Sequence, residues 1–154
     1  MPTSEEVTVA EQTPLHFVFY FAVPPEKAWE GFVSPELNRI IFMGAELEIE
    51  LRPGGPMSWA GTGADGKRTT FVHGQVLQAD PPKLLQYTFA MGASSNFSRV
   101  TIELVPETEA TKVSVTHDQW AADDTSYTAS ADGWPRILSR LKTLLETGKT
   151  FKPH

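Results

Sequence analysis

The chain has 154 residues and a formal net charge of −6, with 40% hydrophobic and 21% charged residues. These values fit one soluble globular domain and leave little room for a second. The absence of cysteine excludes disulfide scaffolds, thiolate metal sites and cysteine nucleophiles, and it favours a reducing, cytoplasmic location. The negative charge argues against a nucleic-acid partner, and the longest apolar stretch, residues 17–25, is too short for membrane insertion.

The beginning of the chain predicts a tail, a strand and two short helices. Residues 1–14 are polar and without periodicity, so we expect a flexible N-terminal tail. The aromatic and β-branched run 15–23 predicts a strand that is covered on both faces or lies near the centre of the core. Pro25 suits a first helical position, and a second helical turn or two should follow over residues 35–41.

From Gly44 onwards the apolar residues recur with a period of two, which is typical of strands. The first such strand, residues 46–51, alternates apolar residues with three glutamates. These carboxylates point outward and lie about 7 Å apart along the strand, a poor geometry for a metal site. Further alternating segments predict strands at residues 57–61, 68–79, 84–91, 98–104 and 112–117. With the first strand, they form a curved antiparallel sheet of about seven strands.

The last periodic segment predicts the longest helix. Its apolar residues recur at helical spacing and are Tyr127, Ala131, Trp134, Leu138, Leu141 and Leu145. Because Pro135 lacks an N–H and its ring collides with the preceding turn, we predict a kinked helix or two abutting helices, with the main segment at 134–147. Gly148 is suited to end this helix.

This order of elements leaves one long helix to cover a broad sheet. A helix is about 10–12 Å wide and strands lie about 4.8 Å apart, so a single helix cannot cover the whole sheet. We therefore expect an apolar, partly aromatic cavity between sheet and helix, where a small molecule can bind. The alternative is that the large side chains, which include nine Phe and four Trp, fill this space completely.

The residues predicted to line this cavity are large and apolar, and some carry a polar tip. They are Trp59, Phe71, Tyr87, Phe89, Val100, Val115, His117, Tyr127, Trp134 and Leu138. For each of them, simple core packing is the alternative. His117 alternates in phase with Val113 and Val115, so we expect it to face the cavity; a hydrogen-bonded core histidine is the other interpretation.

The sequence contains no evident catalytic, cofactor or metal motif. It has no Ser-His-Asp order and no metal-ligand spacing, and Gly61-Thr-Gly63 lacks the strand-to-helix context of a phosphate loop. Neither His117 nor His73 has an evident carboxylate partner, because the acids cluster on turns and on the outward face of the second strand. We expect no cofactor and no bound metal, and an enzymatic role stays open.

Several pieces of the chain, spread over about residues 15–148, resemble a known family. They are Val23-Pro-Pro-Glu-Lys-Ala-Trp29, Ser34-Pro-Glu36, Gly54-Gly55, Gly74-Gln-Val76, Asp80-Pro-Pro82, Thr116-His117 and, most specifically, Gly133-Trp-Pro135 followed by Leu145-Glu-Thr-Gly148. Together they resemble the SRPBCC (START-like, Bet v 1-like) superfamily, in its branch related to the C-terminal domain of the activator of Hsp90 ATPase.

The resemblance implies an α+β helix-grip fold. In this fold a curved antiparallel sheet of about seven strands wraps around a long C-terminal helix, two short helices follow strand 1, and a hydrophobic ligand can lie between sheet and helix. The chain would then be a single domain over residues 15–150, with short tails at 1–14 and 151–154.

Two departures from the family pattern affect what can be transferred. Relatives commonly carry a Trp shortly after the Pro-Glu-Leu piece, where this chain reads Asn38-Arg-Ile-Ile-Phe42, so the mouth of the cavity should differ. The eukaryotic Hsp90 activator also has a separate N-terminal domain that carries chaperone contacts. This chain has no room for one, which argues against an Hsp90-type chaperone as partner.

Three hypotheses about function follow. The first is a cytoplasmic protein that binds a small hydrophobic molecule, lipid-like or aromatic, between the sheet and the C-terminal helix. The second, suggested by related superfamily members, is a polyketide cyclase or aromatase, which would need a polar pair such as His117 and Tyr87 inside the cavity. The third is an interaction module that contacts a chaperone or forms a homodimer through a sheet edge or the basic end of the helix.

Overall fold

A seven-stranded antiparallel sheet faces one long helix in the computed structural model, which describes residues 11–42 and 44–152. The elements are β1 (Leu15–Phe21), α1 (Pro25–Val33), α2 (Pro35–Ile41), β2 (Glu46–Ile49), β3 (Pro56–Thr62), β4 (Arg68–Asp80), β5 (Leu84–Met91), β6 (Ser98–Glu107), β7 (Ala110–Asp118) and α3 (Ser126–Thr147). The strand order is β1-β7-β6-β5-β4-β3-β2. The predicted α+β helix-grip fold is confirmed.

The strand β1 forms one edge of the sheet and pairs only with β7 among the described strands. Phe17 and Phe19 pack against the core, whereas Val18 and Tyr20 on the other face are 39% and 49% exposed. The prediction that this strand is covered on both faces is therefore wrong. Aromatic and β-branched residues favour a strand on either face, so this composition does not reveal that only the inward face of β1 is buried.

The two short helices begin as the sequence predicts. Proline occupies the start of each, where its missing N–H costs nothing, and the Ser34 hydroxyl accepts a hydrogen bond from the Leu37 N–H to cap α2. Gly31 lets α1 approach α3 closely, because a Cβ at this position would lie 2.7 Å from a methyl carbon of Leu141. These contacts fix the short helices beside the C-terminal half of α3.

The long helix α3 is one uninterrupted element, so of the two predicted alternatives, a kinked helix or two abutting helices, the second is wrong, and the helix begins at Ser126 rather than near residue 134. Pro135 lies inside it and has no N–H to donate to the carbonyl of Ala131, one turn earlier. The helix ends as predicted at Gly148, which has a φ of 86° and donates its N–H to the Leu144 carbonyl. The apolar stripe thus outweighs the proline.

The C-terminal half of α3 is fixed to the β1 side of the sheet. The ammonium group of Lys142 donates to the Tyr20 carbonyl at 2.6 Å, and the Glu146 carboxylate accepts from the Ala22 N–H at 2.7 Å. Arg140, which is 3% exposed, donates to the carbonyls of Ile40 and Ile41 at the end of α2. The helix therefore covers the β1 side closely and leaves the β3–β5 side less covered.

Gln12 and Phe151, which belong to the two predicted tails, both contact the folded domain. Gln12 donates its backbone N–H to the Trp120 carbonyl and its side-chain amide to the Ala121 carbonyl. Near the other end, the Arg140 guanidinium lies 5.6 Å from the ring centroid of Phe151. Residues 1–10 and 153–154 of the predicted tails lie outside the described residues.

Two register shifts bend the sheet on the side where α3 leaves it uncovered. One lies between Trp59 and Ala60 in the β3–β4 pairing, and the other between Val76 and Gln78 in the β4–β5 pairing. Gly74 lies between them, and a Cβ there would stand 1.8 Å from the Thr88 carbonyl oxygen. Only glycine permits this approach of two backbones.

We expect Gly74→Ala to lower the free energy of unfolding by about 2–4 kcal/mol, because the methyl group meets backbone that cannot move without breaking the ladder. Urea denaturation followed by circular dichroism measures this. Gly133→Ala in α3 is the matched control: nothing lies within 4 Å of its Cβ position, so helix propensity should raise the stability by about 0.5–1 kcal/mol. Equal effects of the two substitutions would contradict this account.

Candidate functional site

A cavity of about 260 Å³ lies between the β3–β5 side of the sheet and the N-terminal half of α3. It is the space that the off-centre position of α3 leaves uncovered. Two of its lining residues are exposed to solvent, Ala129 on the helix and Phe71 on β4, the latter to 48%. These two residues mark the mouth, and Gly61 beneath Phe71 leaves room for its ring.

Half of the predicted site residues line this cavity, and all of these are aromatic. They are Trp59, Phe71, Tyr87, Phe89 and Trp134. The other five do not line it: four are fully buried in the core and Tyr127 is half-buried. Val100, Val115 and Leu138 are fully buried between sheet and helix where the helix packs closely. Tyr127 is half-buried: its ring meets Trp120 edge to face with the centroids 5.1 Å apart, and its hydroxyl donates to the Thr13 carbonyl.

Eight further residues complete the wall, and the sequence did not single them out as site residues. The sheet side and its neighbouring loop contribute Phe42, Ala45, Val72 and Met91. The helix contributes Ala129, Ser130, Gly133 and Ile137. The helix residues recur with the spacing of one helical face, so the stripe that predicted α3 could have indicated them. For Phe42 the signal was the departure of segment 38–42 from the family pattern, whereas Ala45, Val72 and Met91 had no comparable signal.

His117 points inward, as its strand parity predicts, but it is fully buried beside the cavity instead of lining it. The Trp134 indole N–H, which can only donate, lies 3.0 Å from Nδ1 of His117. The histidine proton must therefore reside on Nε2, which donates to the Ser98 hydroxyl at 2.7 Å. Ser98 donates onward to the Phe89 carbonyl. Both ring nitrogens are occupied.

The surroundings of His117 keep it neutral. Its ring packs against Phe89 and Trp120, with centroids 4.7 Å and 4.0 Å away. Burial lowers the pKa of His117 from 6.5 to about 3, and the charges of Asp118 and Asp124 oppose this only in part. The neutral ring accepts from Trp134, so this network fixes the edge of one cavity-lining indole.

The other indole of the wall is fixed from α2. The N–H of Trp59 donates to the side-chain oxygen of Asn38 at 3.2 Å, and the amide of Asn38 donates to carbonyls of Gly31 and Ser34. Phe42 packs on Trp59 with a centroid distance of 5.2 Å. The segment 38–42, which departs from the pattern of relatives, thus supplies both a support and a lining residue of the cavity.

The wall carries no charged side chain. Of its four residues with polar side-chain atoms, the two indoles donate to Asn38 and His117, as described. The remaining two are Tyr87 on β5 and Ser130 on α3. Burial raises the pKa of the Tyr87 hydroxyl, and no described residue forms a hydrogen bond with it. The Ser130 hydroxyl oxygen is buried and also lacks a hydrogen-bond partner among the described residues.

The described part of the chain contains no group of three or more His, Asp or Glu side chains that could hold a metal ion. Glu46 and Glu48, on the outward face of β2, instead lie 2.8 Å and 3.8 Å from the Arg68 guanidinium. In the same part of the chain, no helix combines the length and apolar character needed to cross a bilayer.

Comparison with known proteins identifies a family for most of the chain. Residues 22–146 match the family model described as activator of Hsp90 ATPase homolog 1-like protein. No curated protein matches the chain. Among solved structures, protein ChR145 from Cytophaga hutchinsonii is similar at 26% identity and a TM-score of 0.72, and the match covers 90% of this chain and 97% of that chain.

Two more distant structures share the fold. PFC0360w, an Hsp90 activator from Plasmodium falciparum, is 19% identical with a TM-score of 0.72, and the match covers 88% of this chain and 97% of that chain. DynU16, from the dynemicin biosynthetic locus, is 20% identical with a TM-score of 0.72; the match covers 90% of this chain and 49% of that one. At these identities, the similarity shows the fold alone.

The neutral state of His117 predicts a specific loss of stability in acid. Its folded pKa of about 3 lies below its ordinary value of 6.5, so its contribution to stability is complete above pH 6.5 and is lost as the pH falls towards 3. Between pH 7 and pH 4 this loss should amount to about 3 kcal/mol. Urea denaturation at the two pH values measures it.

His117→Gln cannot titrate, so the variant should lose less stability than the wild type over this interval, although it is less stable at pH 7. The same substitution at the exposed His16 is the control and should behave as the wild type does. An identical pH dependence for His117→Gln and the wild type would refute the role given to His117.

Proposed function

Because the chain belongs to the activator of Hsp90 ATPase homolog 1-like family, we propose that it binds a small apolar molecule in the cavity between β3–β5 and α3. The observation that carries this proposal is the cavity itself, about 260 Å³, uncharged and bordered by five aromatic rings from the predicted set. Small-molecule sites have this composition: mostly apolar walls with few polar groups. Burying about 200–300 Å² of apolar ligand surface favours binding by roughly 5–7 kcal/mol before the cost of association.

Two features support a site that is formed before a ligand arrives. The indoles of Trp59 and Trp134 are each held by a hydrogen bond to a buried side chain, Asn38 and His117 respectively. A ligand therefore does not have to order them, and a preformed wall reduces the entropic cost of binding. Phe71 is the exception, since its ring lies at the mouth and is about half exposed. We infer that ligands enter past this ring.

The hydrogen bonds around His117 do not favour a cyclase or aromatase. Such chemistry needs a proton acceptor and a donor that reach the substrate. Both nitrogens of His117 are already engaged, and burial raises the pKa of Tyr87, so its hydroxyl stays protonated. Tyr87 can orient a ligand in this state, but it has no neighbouring base among the described residues that line the cavity.

An interaction role stays a separate hypothesis. The Plasmodium falciparum relative is an Hsp90 activator, but its similarity to this chain shows the fold alone. A homodimer through the edge strand β1, where Val18 and Tyr20 are exposed, also stays a prediction. Co-purification with an Hsp90-type protein tests the first of these, and sedimentation equilibrium tests the second.

Indole is a suitable probe for the proposed site, because it is neutral, flat and small. In a titration of the full chain followed by amide chemical shifts, we expect shifts concentrated in β3–β5 and in residues 129–137, with a micromolar Kd. Gly133 lies in the wall with open space at its Cβ position, so Gly133→Leu should fill part of the cavity and weaken binding at least about tenfold.

Thr128→Leu is the matched control, since it adds similar bulk to an exposed position of the same helix. It should leave the affinity for indole unchanged, and both variants should melt at or above the wild-type temperature. Shifts spread over the surface, or equal binding by Gly133→Leu and the wild type, would count against the cavity as the binding site.

A further inference from the structure

We infer that the cavity selects an uncharged molecule of about two fused rings that carries one hydrogen-bonding oxygen, held between Tyr87 and Ser130. This inference rests on the proposed function and names the class of ligand for the same site. It follows from three properties of the wall: its lack of charge, its volume and the state of its polar groups.

The lack of charge excludes ionised ligands. None of the residues that line the cavity is acidic or basic, and the nearby His117 is neutral and already hydrogen-bonded at both nitrogens. A carboxylate or an ammonium group that entered the cavity would lose its hydration without gaining a counter-charge. Fatty acids and aromatic carboxylates should therefore bind much more weakly than their neutral analogues.

The volume limits the size of the ligand. An engineered apolar cavity of about 150 Å³ in another protein holds one benzene ring. In proportion, 260 Å³ holds about ten non-hydrogen atoms, the size of two fused rings. A full-length lipid chain or a tetracyclic polyketide does not fit inside this volume. The lipid-like ligands that the sequence left open are therefore disfavoured, and the aromatic ones are retained.

The polar groups of the wall decide what the ligand must carry. The two indole N–H groups are already bonded to Asn38 and His117, so they cannot serve a ligand without breaking a buried hydrogen bond. The hydroxyls of Tyr87 and Ser130 form no hydrogen bond with a described residue, and the Ser130 oxygen is in addition fully buried. A buried hydroxyl without a partner is unfavourable, and a ligand that supplies one removes this cost.

Tyr87 and Ser130 lie on opposite sides of the cavity, one on the sheet and one on the helix. A hydroxyl or carbonyl oxygen on a ligand lying in this gap can bond to either side. Each protein hydroxyl can donate as well as accept, so both a phenol and a ketone satisfy the pair. Flat rings suit the rest of the site, because aromatic side chains form most of its walls.

A titration of the full chain with four probes tests this inference by amide chemical shifts. The probes are 2-naphthol, naphthalene, 2-naphthoate and the tetracyclic phenol estradiol. We expect 2-naphthol to bind at least about fivefold more tightly than naphthalene, and 2-naphthoate at least about tenfold more weakly than 2-naphthol. Estradiol should not shift residues of the wall.

Ser130→Ala and Tyr87→Phe each remove one oxygen. Either substitution should at least halve the preference for 2-naphthol over naphthalene, and the double variant should abolish it. Ser139→Ala, the same change on α3 outside the wall, is the matched control and should keep the full preference. Thermal melting of each variant verifies that it is folded.

The outcomes separate this inference from the proposed function. Equal affinities of the wild type for 2-naphthol and naphthalene would overturn the hydrogen-bonding requirement and leave a cavity that binds apolar molecules. A preference that survives in the double variant would overturn the assignment to Tyr87 and Ser130. Tight binding of 2-naphthoate would overturn the requirement for a neutral ligand. Failure of indole, naphthalene and 2-naphthol alike to bind would overturn the proposed function itself.

Discussion

The cavity depends on the attachment of the C-terminal half of α3 to β1 and to α2. Lys142 and Glu146 bind the backbone of β1 and the residue that follows it, and Arg140 binds the last carbonyls of α2. These contacts all involve the C-terminal half of the helix. A rigid rod fixed at one end and along one edge cannot also lie on β3–β5, because the sheet is wider than a helix. The space on that side is thus a consequence of where the polar contacts of the helix lie.

Across that space, the helix and the sheet are joined by the buried bond between Trp134 and His117. The order of donors runs from Trp134 through His117 and Ser98 to the carbonyl of Phe89, so every polar atom in it is satisfied while the histidine stays neutral. The same bond holds an indole at the edge of the cavity. His117 therefore contributes both to the stability of the fold and to the geometry of the site. If His117 were protonated, its Nδ1 would become a donor that faces the N–H donor of Trp134.

Most buried polar groups of the core have hydrogen-bond partners; among the described residues, two buried side-chain atoms do not, the Ser130 hydroxyl oxygen in the cavity wall and Nη1 of Arg140 outside it. Buried side chains such as Asn38 and Thr111 find carbonyl partners, as is usual in protein interiors. In the wall, the Ser130 hydroxyl finds none among the described residues, and the Tyr87 hydroxyl forms no hydrogen bond with them either. A binding site combines both kinds of polar group. Hydrogen-bonded groups around the cavity fix its shape, and unpaired groups in its wall select the ligand.

The sequence by itself determined the elements and their inward faces. Strand limits such as Leu84–Met91, the glycine that ends α3 and the inward parity of His117 depend on local geometry, which residue types and their periodicity express. It did not determine that β1 has an open face, whether one helix or two would cross Pro135, or which inward residues border the cavity. Val115 and Tyr87 have the same parity and burial in the sheet, yet only Tyr87 meets the void. That difference was decided by the lateral position of α3, which is set by contacts between residues more than 100 positions apart, such as Lys142 and Tyr20, and leaves no periodic trace in the chain.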